Sequence, residues 1–300
     1  MEKKTEQKKG MMERILPSCM LVLGILSASK VFGSYYYGWT KTLSNDPAFL
    51  HCLDYLGHTV QLLTYLVYGY FVKQDRKYMI DGFRGKPSRN LRNLLLGAAG
   101  GLLMMGICIF AAVQSGTLVL HPVRDGNILL FLFAVVCVFI QSSTEELEAR
   151  GYLQGKLNAE GLPFWAVVLA VGVFFSFSHA GNTGIGFLPY LNIFLIGSLF
   201  AITVKITGSV WFACGAHTAW NFAQDFLFGL PDSGHPAVFS AFSTEVKSGG
   251  FFFDPVFGIE GSVMATLVTI AALVIAYLIG KKIKGDAFLK ECASGEGKKN

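Results

Sequence analysis

Four residues of this chain, Glu145, His179, His217 and Asn221, are of the types that move protons and stabilise negative charge, and each lies in or beside an apolar run. A carboxylate such as Glu145 can take a proton from water. His179 can hold or orient that water. His217 and Asn221 are spaced i, i+4, so an imidazole and a carboxamide project from one face of a helix. Both can donate to an oxygen that turns negative in a tetrahedral transition state. Together the four groups suit hydrolysis of an amide.

Three further residues would hold them in place. Glu146 and Arg150 are also i, i+4, with the carboxylate on the N-terminal side, the better order for a pair. Phe175 shares a helix face with His179. Each group also has a plainer reading. Ser142-x-x-Glu145 or Ser143-x-x-Glu146 is the pattern of a capping box opening a cytosolic helix. A lone membrane histidine can do no more than hydrogen-bond a neighbouring helix. Depth favours chemistry. With a helix ending near Leu157, Glu145 sits ~18 Å above its inner end, His179 ~24 Å above Pro163 and His217 ~18 Å above Lys205. Charge at that level needs a reason, since ionisable groups are costly inside a bilayer. His51, Asp54 and His58 form another polar group, and the spacing of Asp54 and His58 could bind a metal. Their place near the outer interface, where water satisfies them, favours no special role.

The elements that must position these residues are membrane helices. Of the 300 residues 52% are hydrophobic and only 15% charged, too little charge for a soluble chain of this size. Apolar runs of near-spanning length fall at about 15–37, 50–72, 93–115, 127–145, 163–181, 187–204, 208–228 and 257–280. The fold expected is all-α, a polytopic bundle of about eight transmembrane helices forming one integral membrane domain over 1–300. Its catalytic core would lie at about 127–228, a long loop at 229–256, and mobile basic tails at 1–12 and 284–300. Lysines and arginines set the orientation. With both termini cytoplasmic, the inner side holds the N-terminal tail, the segment from Lys73 to Arg92, Arg150, Lys156, Lys205 and the C-terminal lysines. The outer loops keep Lys41, Arg124 and Lys247. The net charge of +5 then reflects topology and anionic headgroups, with no nucleic acid as partner. A first helix retained rather than cleaved as a signal peptide is expected, because the apolar pattern continues to Tyr35, Tyr36, Tyr37 and Trp39. The six cysteines show neither metal nor redox spacing and read as small buried hydrophobes.

The ordered set EExxxR (Glu145, Glu146, Arg150), FxxxH (Phe175, His179) and HxxxN (His217, Asn221), with Gly151 and Tyr152 extending the first motif, resembles the CPBP intramembrane proteases. This is the CAAX-protease and bacteriocin-processing family, also called abortive-infection proteins, and it includes the Ras-converting CAAX endopeptidase. The resemblance implies an eight-helix bundle with a membrane-embedded site open to the cytosol. It also implies a glutamate endopeptidase acting on a peptide or protein substrate, lipid-modified in CAAX-type processing, in contact with membrane lipids. A bacterial cell membrane is the expected location. Catalysis by Glu145-activated water needs no cofactor. A zinc ion held by Glu145, His179 and His217 is the alternative. Two other classes compete: a non-catalytic immunity or scaffold protein of the same fold, and a transporter. A pure binder has no need of Glu145, and a transporter would spread its charges over two repeats.

Overall fold

The computed structural model describes residues 10–124 and 126–285. The chain is mostly helical. Its helices are α1 (Met11–Thr40), α2 (Pro47–Leu56), α3 (His58–Phe71), α4 (Arg76–Asp81), α5 (Pro87–Gln114), α6 (Ile128–Glu146), α7 (Gln154–Ala159), α8 (Phe164–Ser178), α9 (Phe187–Thr207), α10 (Trp211–Phe222) and α11 (Val263–Lys284). Two strands, β1 (Leu118–Pro122) and β2 (Phe242–Val246), pair antiparallel with Leu118 opposite Val246. The sheet is an addition to the expected all-α architecture, and it ties the long loop to the end of α5. The basic tails expected at 1–12 and 284–300 fall for the most part on residues 1–9 and 286–300, outside the described residues.

Among the described residues five helices can cross a membrane by length and apolarity: α1, α5, the continuous run Ile128–Ala159, α9 and α11. The other three segments read from the sequence are shorter or broken. Gly57 separates α2 from α3, α8 has 15 residues, and α10 has 12 before a change of helix type. Local chemistry sets several boundaries. Asp46 caps α2, accepting from the Ala48 amide at 2.9 Å, with Pro47 in the first turn where its missing N–H costs nothing. Asn127 caps α6 through the amides of Leu129 and Leu130.

No new helix opens at Ser142 or Ser143. Both lie inside α6, which runs without a break through a π-helical segment, Leu147–Leu153, into α7. The depth expected for His217 needs correction. Gly208, at φ 65°, ends α9 in the left-handed region; the chain turns there, and His217 stands six residues into α10, ~9 Å from its start.

Small residues let α5 and α10 meet at backbone distance. A Cβ on Gly97 would lie 2.0 Å from the Phe212 carbonyl oxygen, one on Gly101 2.3 Å from that of Ala216, and one on Gly215 2.0 Å from that of Leu94. With apolar lipid on the outside, such close packing is what holds membrane helices together. It also fixes the helix that carries His217 and Asn221.

Candidate active site

The centre of the site is built on α6 and the π-helical segment after it. Glu146 is fully buried, and its Oε1 accepts from Arg150 Nη1 at 2.9 Å and from His217 Nδ1 at 3.0 Å. Arg150 Nη2 donates to the Gly197 carbonyl on α9 at 3.1 Å, and its guanidinium stacks 4.1 Å from the Phe175 ring centre and 5.3 Å from that of Phe200. One ion pair thereby joins α6, α8, α9 and α10. Removing one partner of a buried pair typically costs about 3–5 kcal/mol, because the other charge is stranded.

Glu145 points elsewhere, into a cavity of about 630 Å³. Its Oε1 accepts from Gln141 Nε2 at 2.7 Å, whereas its Oε2 is buried without a hydrogen-bond partner and lies 3.9 Å from His217 Nε2. Asn221 Nδ2 donates to Gln141 Oε1 at 3.2 Å, so the two motif helices are linked through one glutamine. A carboxamide nitrogen carries two hydrogens, and the second stays free for a ligand.

His179 does not sit within α8 but at its C-terminal cap. Its Nδ1 is 2.8 Å from the Phe175 carbonyl oxygen. A carbonyl can only accept, so Nδ1 carries the proton and Nε2 is left with the lone pair. The ring can therefore receive a hydrogen bond from water. His217 has the same tautomer forced on one side, since Glu146 accepts from Nδ1; for Nε2 also to donate, the ring must carry both protons. The carboxylates of Glu145 and Glu146 flank it with compensating charge.

The cavity therefore brings together Glu145, Phe175, His179, His217 and Asn221, with Glu146 and Arg150 behind them. It also holds residues that the sequence reading passed over. Gln141 lies one helical turn before Glu145, and its uncharged amide gave no signal to single it out. Glu148 is buried and accepts from Gln61 at 2.6 Å and Tyr65 at 2.8 Å. His58, placed by the sequence at a watery interface, has its Nδ1 3.9 Å from Glu145 Oε1. His51 is likewise buried, 2.7 Å from Asp225 Oδ2. Asp54 and His58 fall on different helices, α2 and α3, on either side of Gly57. Among the described residues no group of three or more His, Cys, Asp or Glu is arranged to hold a metal ion.

Residues 127–223, which contain every motif, match the family model described as Type II CAAX prenyl endopeptidase Rce1-like. The segment is similar to the CPBP, or CAAX-protease, family of membrane proteases, which act on peptide or protein substrates. No curated protein matches the chain. The match to that family of membrane proteases and the long apolar helices together support an integral membrane protein.

Proposed function

We propose that the protein is an intramembrane endopeptidase in which Glu145 activates a water molecule against a peptide carbonyl. The observation that supports this best is the unpartnered, buried Oε2 of Glu145, aimed into the cavity beside His217 Nε2. In this reading Gln141 holds the other carboxylate oxygen and so directs Oε2 at the water. His179 accepts from that water through Nε2. The doubly protonated His217 and the second N–H of Asn221 donate to the oxygen of the tetrahedral intermediate. The proton taken by Glu145 passes to the leaving amine as the C–N bond breaks, which restores the carboxylate. Glu146, Arg150 and Phe175 keep the helices in register and touch no substrate. CAAX-type C-terminal processing and bacteriocin-related processing or immunity are the physiological settings that the family suggests.

Glu145→Gln keeps the size and the Gln141 contact but cannot accept the proton. It should abolish cleavage while expression in membranes stays near wild type; cleavage at the wild-type rate would remove the mechanism. The reading is metal-free, with zinc on Glu145, His179 and His217 as the rival. Exhaustive chelation should leave turnover unchanged. One zinc per chain by elemental analysis, lost together with activity in a His179 variant, would decide for the metal.

For orientation, both termini are assigned to the cytoplasm, as the positive-inside rule requires of this lysine and arginine distribution. The eight segments then alternate across the bilayer, with α2–α3, α8 and α10 as the short or broken ones. A non-catalytic scaffold of the same fold would not need the free carboxylate oxygen, and it predicts unchanged function in Glu145→Gln.

A further inference from the structure

The two ends of the bundle can be told apart by contacts, without reference to charge. At one end Arg14 Nη1 donates to the Glu160 carbonyl at 2.7 Å and the Val210 amide to the Gly82 carbonyl at 2.8 Å. This end gathers the start of α1, the α3–α5 connection, the turn after α7 and the turn between α9 and α10. At the other end the Lys247 amide donates to the Thr117 carbonyl at 2.9 Å, and Asn182 Nδ2 to the Ser233 carbonyl at 2.9 Å. That end gathers β1 and β2, the turn after His179 and the long loop.

The cavity belongs to the second end alone. Its inner wall is the buried group around Gln141 and Asn221, and its exposed rim includes Asp54, His235, Pro236 and Val238. No residue of the 72–86 connection, of 160–163 or of 208–210 lines it. On α1 the cavity is lined by Leu26, Ser29, Lys30, Gly33, Ser34 and Tyr37, and from Lys30 onward this stripe is polar apart from Gly33 and runs toward the same rim. From Lys30 to Tyr37 the stripe covers ~10 Å, the length of about three residues of extended chain.

The same two ends also differ in charge. The end away from the cavity carries Lys73, Arg76, Lys77, Arg84 and Lys86 in one connection, while the cavity end has Lys41, Arg124 and Lys247 over all its loops. Lysine and arginine stay on the cytoplasmic side. We infer that the cavity opens to the extracytoplasmic face, and that its substrate is an extended polypeptide segment presented on that side of the membrane. This differs from the cytosolic access that the family resemblance implies, and it takes a cytoplasmic lipidated C-terminus out of the substrate class. The substrate half of the inference rests on the protease reading; the opening does not.

Single cysteines introduced into the full chain test the opening. Pro236→Cys lies on the rim, Lys247→Cys is exposed at the same end, and Lys77→Cys is exposed at the other. In intact bacterial cells a membrane-impermeant maleimide should label the first two above the unsubstituted chain and leave Lys77→Cys at background until the cells are permeabilised. Labelling of Lys77→Cys in intact cells, or of Pro236→Cys only after permeabilisation, overturns the orientation. Failure of Pro236→Cys to react in either state, with Lys247→Cys reacting, overturns the open rim. Peptides retained by purified Glu145→Gln and identified by mass spectrometry test the substrate. Segments lying outside the cytoplasm support the inference, and cytoplasmic segments overturn it while sparing the protease reading. No retained peptide at all counts against the protease reading and the substrate class, and the labelling pattern then stands by itself.

Discussion

Asn221 has two tasks in the proposed site, and they can be separated. One N–H holds Gln141, which in turn holds Glu145; the other would meet the oxyanion. Loss of an oxyanion donor costs about 10²–10³ in turnover, so Asn221→Ala should lower kcat by that order with KM little changed. Asn221→Asp puts an anion beside a developing anion and should be slower still, recovering as pH falls and the aspartate is protonated. A rise in KM with kcat intact in both variants would mean that Asn221 binds ground-state substrate. The residues proposed for these roles could be picked out because buried charge is rare enough to stand out at helical spacing. Gln141 was not, since an uncharged amide in an apolar helix raises no alarm. His58 was missed for another reason. It was set aside for its place near a watery interface, and only the packing of α3 against α6 brings it to the carboxylate.

At the scale of elements, hydrophobic length revealed where segments run but not how they end. A 20-residue apolar run reads the same whether it becomes one helix or, as at 50–72, two helices meeting at a glycine. Nor does it disclose the π-helical turns Leu147–Leu153 and Ala223–Leu227, which follow the Glu145–Glu146 and His217–Asn221 residues directly. Such turns concentrate at functional sites, and they depend on packing around the helix rather than on its composition. The glycines of the α5–α10 contact were visible in the sequence, but their partner was not. Gly101→Leu tests that contact. Four heavy atoms cannot fit where a Cβ alone would stand 2.3 Å from a carbonyl oxygen. Overpacking of this kind costs typically 1–3 kcal/mol, so the variant should show a lower melting temperature in detergent and a loss of activity as α10 is pushed away from α6. Full activity at wild-type stability would mean that the helices separate without moving His217.

On the scale of the whole molecule, the ion pair at the centre of the bundle has a consequence for the order in which the chain is made. Ribosomal synthesis delivers the run Ile128–Ala159 before α8, α9 and α10 exist, so the Phe175 ring, the Gly197 carbonyl and the His217 imidazole arrive after the charges they serve. An arginine at the centre of an inserting helix costs about 2.5–3.5 kcal/mol. Two features lighten that interval: Arg150 already has Glu146 one turn away, and Glu148 already has Gln61 and Tyr65 on α3, made earlier. Internal pairing would thus act as a temporary counterweight, carrying the span through insertion until its later neighbours close around it. A nascent chain stalled after α7 should therefore hold this span in the membrane with Glu146 and Arg150 both present. With Arg150→Ala and Glu146 unpaired, the same intermediate should slip out more readily, as alkaline extraction of the stalled chains would register. Equal retention of both would mean that the late-arriving helices alone secure the span.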